Sequence, residues 1–260
     1  MWHAAPCSTQ EEEHHGHRNW VDTTLPSWSF ASVLLSTTLV GLVSAVPMTF
    51  DLSEDMIENF KTGKSAGIVS TAATGVTANE FLDGGCRDVI FLYARGSDQD
   101  GNIGSSPGPQ TIDALKANLG DSRVAAQGVD YPANLLDNIR PQGCDPADAE
   151  DFKDLITKAA TDCPDSKLVL SGYSQGAALV HAAAKMLSAS VASKVAAAVT
   201  YGDTRKKQDG GVVPNIDPSR SLILCHDGDL VCSGTLIVTE NHFNYDDLTG
   251  TAVSFIASKV

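Results

Sequence analysis

Basic residues are what this chain is short of: Lys and Arg number 18 against 32 Asp and Glu, a formal net charge of −14. No Lys/Arg cluster is present that would neutralise a phosphate backbone, which excludes nucleic acid as the expected partner. The acidity also gives no attraction to anionic lipid surfaces, and its simplest consequence is solubility. No Asn-x-Ser/Thr sequon occurs, so N-glycosylation is not expected. No C-x-x-C pair occurs and the histidines of the second half are scattered, so a zinc site is not expected. Asp98-Gln99-Asp100-Gly101-Asn102 begins like a calcium loop, but Ile103 stands sixth and Pro109 twelfth, where the turn glycine and the bidentate acid belong. Internal repeats, low-complexity tracts and a phosphate-cradling glycine loop at the first strand are absent too. No cofactor is expected.

Long apolar runs are also scarce. One run, Phe30 to Val46, has the length of a signal-peptide core and is short for a membrane span. Val43-Ser44-Ala45 supplies small residues for cleavage, although residues 1–25 carry Glu11-Glu12-Glu13 and one Arg where a signal has a basic start. The expected division is an N-terminal extension plus signal over 1–45, a propeptide or loosely attached arm over 46–85, and a catalytic domain over 86–260. Secretion follows from that reading, without stable membrane insertion. Loss of Cys7 leaves Cys86, Cys144, Cys163, Cys225 and Cys232, an odd set that forms at most two pairs.

Within 46–85, residues 50–60 read as a short helix. From Arg87 onward strands and helices alternate. Asp88–Tyr93 is a near-continuous apolar run, as a strand buried on both faces requires. Further strands are expected over 123–129, 167–172, 195–201 and 220–225, with helices over 109–119, 146–160, 176–187 and 245–258. Asp145-Pro146 supplies an N-cap followed by proline at the first helical position. This order implies βαβ units and one three-layer α/β/α domain on a mostly parallel five-stranded sheet.

Gly172-Tyr173-Ser174-Gln175-Gly176 joins the apolar run Leu168-Val169-Leu170 to an Ala-rich helix. In that strand–turn–helix setting a G-x-S-x-G sequence presents the serine hydroxyl above the sheet edge, beside a helix N-terminus. The Gln175 N–H, next after the serine, is then one oxyanion donor by geometry. A serine needs a base to take its proton and an acid to orient that base, in the chain order Ser, acid, His for this fold. Downstream lie His181, His226 and His242. His181 falls seven residues into the helix after the serine and reads as an ordinary surface or flank residue. His226 is a lesser candidate. His242, in a loop before the last helix, is the expected base. The acid comes from Asp203, Asp209, Asp217, Asp227 or Asp229. A Cys225–Cys232 disulfide would stiffen the loop holding Asp227 and Asp229.

Taken together, the serine motif, the Cys225–Cys232 loop with Asp229-Leu230-Val231, and Gly234-Thr235-Leu236-Ile237-Val238 leading to His242 closely resemble fungal cutinases. Ala94-Arg95-Gly96-Ser97 followed by Gly101-Asn102-Ile103-Gly104 extends the resemblance, which covers roughly 85–260. It implies a minimal α/β-hydrolase with Ser174 as nucleophile, Asp229 as acid and His242 as base. It implies Ser97 as the second oxyanion group, steadied by Asn138, and Cys86–Cys163 as a long-range disulfide. Leu135, Leu236 and Val238 would form an apolar rim, and the site would lie open to solvent without a long lid. Cys144 has no family partner, and Asp203 in Tyr201-Gly202-Asp203-Thr204 remains a second candidate acid.

The expected activity is hydrolysis of carboxylic esters in hydroxy fatty acid polyesters through an acyl-enzyme, by a monomer acting on a polyester or lipid-like substrate. Two alternatives are an acetylxylan esterase of the same fold and a non-catalytic secreted adhesin or elicitor.

Overall fold

The computed structural model describes residues 74–260. The expected signal over 1–45 and the expected helix over 50–60 lie outside the described residues. Five strands, β1 (Val89–Ala94), β2 (Val124–Gly128), β3 (Lys167–Tyr173), β4 (Val195–Tyr201) and β5 (Ser221–Leu224), form one sheet in the order β2-β1-β3-β4-β5. Every neighbouring pair is parallel. Among the described residues six helices accompany it: α1 (Glu80–Gly84), α2 (Gly108–Leu119), α3 (Pro146–Asp162), α4 (Gln175–Met186), α5 (Ala189–Ala192) and α6 (Thr249–Ala257).

Side chains alternate between the two faces of the sheet, and each face has its own core. Ile90, Leu92, Leu168 and Leu170 pack with Phe152 and Ile156 of α3 and with Leu179, Val180 and Ala183 of α4. Phe91, Tyr93, Val169, Tyr173, Val199 and Tyr201 pack with Ile112 and Leu115 of α2 and with Val253 and Ile256 of α6. The result is the three-layer α/β/α domain that the strand–helix alternation predicts. Its sheet is entirely parallel rather than mostly so.

Boundaries shift by a residue or so at the strands. The last helix departs further: residues 245–248 form a 3₁₀ turn and only Thr249–Ala257 is α-helical. Tyr245 is 1 % exposed and its hydroxyl is committed to Asp229, which fixes this turn in a geometry the α-helix does not continue. Asp145 caps α3 as expected, accepting from the Ala147 N–H at 2.8 Å.

Residues 74–84, part of the segment expected to be loosely attached, pack on the domain. Ala78 and Phe81 are buried, and Glu80 accepts from the Ala126 N–H and pairs with Lys116. Cys86 is bonded to Cys163 and Cys225 to Cys232, whereas Cys144 is free and buried. Burial pushes the Cys144 thiol up to about 12, so it is inert as a thiolate nucleophile.

Candidate active site

The loops that follow β1, β3, β4 and β5 meet at the carboxyl edge of the sheet, around the β1/β3 switch point where ligands bind in open α/β folds. Ser174 sits between β3 and α4 with φ 55° and ψ −117°, a strained backbone for a residue with a Cβ. The flanking glycines make that turn possible. A Cβ on Gly172 would lie 2.4 Å from the Gly176 carbonyl oxygen, and one on Gly176 only 2.0 Å from the Ala94 carbonyl oxygen. Strand, elbow and helix touch at backbone distance, so no larger residue fits. Gly176→Ala is therefore expected to cost about 3 kcal/mol or more in unfolding free energy. A urea melt shifted by under 1 kcal/mol would show that the backbone yields there.

The Ser174 hydroxyl faces His242 Nε2 at 2.9 Å, and His242 Nδ1 faces Asp229 Oδ2 at 2.8 Å. Asp229 also accepts from the Tyr245 hydroxyl at 2.6 Å and from the Val231 N–H at 3.0 Å. Burial pushes the Asp229 carboxyl up, but these donors, His242 foremost, outweigh it and hold the group below the ordinary carboxylate value. The carboxylate therefore stays ionised and calls for a proton on His242 Nδ1, while Nε2 faces the serine hydroxyl. The Tyr173 hydroxyl donates to the His242 carbonyl at 2.6 Å, and the two rings stack at 5.2 Å. Tyr173, the variable residue of the serine motif, thus anchors the histidine. Neither that role nor the role of Tyr245 is legible in the sequence.

Ser97 is fully buried, and its hydroxyl oxygen accepts from Asn138 Nδ2 at 2.8 Å. Asn138 Nδ2 also donates to the Leu135 carbonyl, which only accepts, so the orientation of the amide is fixed. The Ser97 proton is then free to point elsewhere. Gln175 opens α4, where the first N–H groups have no partner within the helix. Its side chain donates to the Asn134 carbonyl at 2.7 Å and ties the helix to the loop carrying Asn138. Gly96 is held by Gln99 Oε1 at 2.9 Å, and Gln99 in turn donates to the Ser106 carbonyl at 2.8 Å.

The other candidates fall elsewhere. His226 stacks on Tyr245 and bonds to the Asn241 carbonyl and Asp247, away from the serine. Asp217 caps a 3₁₀ turn, and Asp227 is exposed. Two expectations need correction. His181 is not a surface residue: it is 1 % exposed, with Nε2 2.9 Å from Asp203 and Nδ1 2.8 Å from Asp209. Asp203 is therefore not an acid for His242. The loop after β4 folds back over α4, and helical spacing alone does not reveal that.

The expected apolar rim is split by local geometry. In the 3₁₀ turn Leu135–Ile139, residues three apart share a side. Leu135 and Asn138 are half-buried, whereas Leu136 and Ile139 are 69 % and 73 % exposed. Leu236 and Val238 are likewise half-buried, with Ile237 between them 55 % exposed. The reactive groups lie deeper than an open site suggests, with Ser174 3 % exposed and His242 buried. Among the described residues no group of three or more His, Cys, Asp or Glu is arranged to hold a metal ion. No helix among them is long and apolar enough to cross a membrane.

Comparison with known proteins gives a consistent result. The Cutinase family model matches residues 85–260. A cutinase of Pyricularia oryzae is 50 % identical over 214 residues, covering 82 % of this chain and all of that protein. A probable cutinase of Aspergillus niger is 39 % identical, covering 88 % of this chain and 84 % of the relative. Among solved structures, a Trichoderma reesei cutinase in complex with a phosphonate inhibitor superposes with a TM-score of 0.65 at 36 % identity, covering 71 % of this chain and 80 % of that one. The catalytic core of an acetyl xylan esterase from Trichoderma reesei shares the fold, with a TM-score of 0.52 at 22 % identity over 67 % of this chain and all of its own.

Proposed function

This chain belongs to the cutinase family and is a carboxylic ester hydrolase; on that premise we propose that it is secreted and cleaves cutin-type hydroxy fatty acid polyesters through a Ser174–His242–Asp229 triad. The single observation that carries the triad is the continuous hydrogen-bonded path from Asp229 through His242 to Ser174, at 2.8 and 2.9 Å.

Ser174 Oγ attacks the ester carbonyl carbon while His242 Nε2 takes its proton. Negative charge gathers on the former carbonyl oxygen, where the Gln175 N–H and the Ser97 N–H and hydroxyl serve as donors, each worth a few kcal/mol in the transition state. Collapse expels the alcohol, which receives the proton from His242, and leaves an acyl-Ser174. Water, deprotonated by His242, attacks that ester, and His242 returns the proton to Ser174 Oγ as the acid departs. Throughout, Asp229 stays charged and balances the imidazolium that forms twice per turnover.

A polyester substrate is supported by the apolar side chains on the two loops bearing Asn138 and His242. Leu135, Leu236 and Val238 form the inner part of the proposed rim and Leu136, Ile139 and Ile237 the outer part. Exposed apolar groups around a polar centre fit a waxy acyl chain better than a polysaccharide.

The test is a comparison of substrates after active-site labelling. An alkyl phosphonate is expected to add to Ser174, as read by mass spectrometry of the peptide, and to stop hydrolysis of butyrate and longer esters. Action confined to acetylated xylan would replace the polyester reading with the acetylxylan esterase. Absence of both labelling and turnover would favour a non-catalytic adhesin or elicitor.

A further inference from the structure

Behind the nucleophile lies a second histidine–carboxylate assembly that the chemistry above does not use. Both ring nitrogens of His181 face carboxylate oxygens, Nε2 that of Asp203 and Nδ1 that of Asp209. A carboxylate only accepts, so satisfying both contacts requires a proton on each nitrogen: His181 is an imidazolium. Asp203, just past β4, also accepts from the Thr200 hydroxyl at 2.5 Å and from the Arg205 N–H at 2.7 Å. Asp209 also binds Lys185, one turn along α4, at 2.7 Å, with Arg205 Nε at 3.7 Å. Burial opposes the charge on His181, but Asp203 and Asp209 outweigh it and raise its pKa. His181 in turn lowers that of Asp209, and together with Thr200 and the Arg205 N–H it lowers that of Asp203 against the effect of burial.

The segment held by this assembly, residues 201–204, touches Ser174 and His242 and reaches Asp229 through Tyr245. The Tyr201 carbonyl accepts from the Ser174 N–H at 3.0 Å, and the Thr204 hydroxyl lies 3.4 Å from the Ser174 carbonyl. Gly202, at φ 50°, leaves no room for a Cβ, which would sit 2.8 Å from His242 Cε1. The Tyr201 ring meets the edge of Tyr245, whose hydroxyl holds Asp229.

We propose that His181 is a positioning residue: bridging Asp203 and Asp209, it clamps the 201–204 segment onto helix α4 and so fixes the distance and angle between Ser174 and His242. The inference rests on the triad reading. A misplacement of about 1 Å between reacting groups costs up to roughly 100-fold in rate, so loosening the clamp acts on turnover rather than on substrate binding. The 201–204 segment lies beneath the triad, whereas the rim that meets the acyl chain is carried by other loops.

His181→Ala is expected to lower kcat per phosphonate-titrated site roughly tenfold or more, with KM within about twofold of the parent. Titrating sites separates misplacement from loss of folded protein, which a purely structural role would cause. Nitrogen NMR of the parent protein is expected to find both His181 nitrogens still protonated at a pH just above the ordinary histidine value, where a free imidazole is mostly neutral. A neutral ring, or an unchanged kcat per site in His181→Ala, overturns the clamp. If that variant does not fold, Asp209→Asn decides in its place: a fall of about threefold or more in kcat per site supports the clamp and an unchanged kcat overturns it. Ser174→Ala is measured alongside. Full activity there removes the triad reading and the clamp with it, whereas loss there with an unchanged His181→Ala removes the clamp alone.

Discussion

Asp229→Asn is expected to lower kcat for ester hydrolysis by about four orders of magnitude while the protein stays folded. The effect follows from the two sides of the carboxylate. Oδ1 accepts from the Val231 N–H, and Oδ2 accepts from His242 Nδ1 and the Tyr245 hydroxyl. An amide has one accepting oxygen and one donating nitrogen. If the oxygen stays on Val231, the NH₂ group faces His242 Nδ1 and imposes the other tautomer. Nε2 then carries the proton and has no lone pair for the serine. In the flipped orientation the tautomer is kept, but the NH₂ group opposes the buried Val231 N–H, at a cost of about 1–3 kcal/mol. The first orientation is the cheaper, and it is the inactive one. Steady-state hydrolysis of a short p-nitrophenyl ester reads the result directly. A fall of less than tenfold would mean that Asp229 does not orient the base.

Removing the Cys86–Cys163 bridge by the double Ser substitution is expected to cost about 4 kcal/mol and to lower the Tm by roughly 10–15 °C, with kcat per active site unchanged. The bridge closes a loop with a sequence separation of 77, joining the segment before β1 to the end of α3, at the amino ends of β1 and β3, whereas Ser174 follows the carboxyl end of β3. Its worth is mainly the freedom it removes from the unfolded chain. The Cys225–Cys232 bridge spans only 7 residues, for which the same relation gives about 2 kcal/mol. Its position matters more: Asp229 lies inside it, so its loss is expected to cost roughly tenfold in kcat. Thermal melts paired with kcat per titrated site separate the two bridges. Equal losses of Tm, or a kcat that tracks the long bridge, would refute the assignment of one to stability and the other to the site.

Some of this site is legible before folding. Of the two glycines around Ser174, Gly172 avoids a clash within the elbow itself, whereas the clash Gly176 avoids is with Ala94 at the end of β1, which only the sheet brings there. His242 is recognisable from its place before the last helix. The acid is not. β4 and β5 are neighbours in the sheet, and an aspartate follows each strand, Asp203 and Asp229. Local sequence does not say which of the two loops turns toward His242 and which turns back over α4. The resemblance to cutinases pointed to Asp229 where residue chemistry left five candidates. The exposure of Leu136 and Ile139 is not legible for a similar reason: it depends on a 3₁₀ turn that brings residues three apart onto one side.

The sequence alone determined the alternation of buried strands and helices, the sharp turn at Ser174 and the order in which Ser174 and His242 occur. Those features arise from hydrophobic pattern and backbone sterics, which act over a few residues. Only the tertiary structure decided that Asp203 pairs with His181 and Asp229 with His242, and that Tyr173 and Tyr245 hold His242 and Asp229. Those pairings join groups between 13 and 69 residues apart in the chain. They depend on which loops the parallel sheet gathers at its carboxyl edge, and no local preference encodes that.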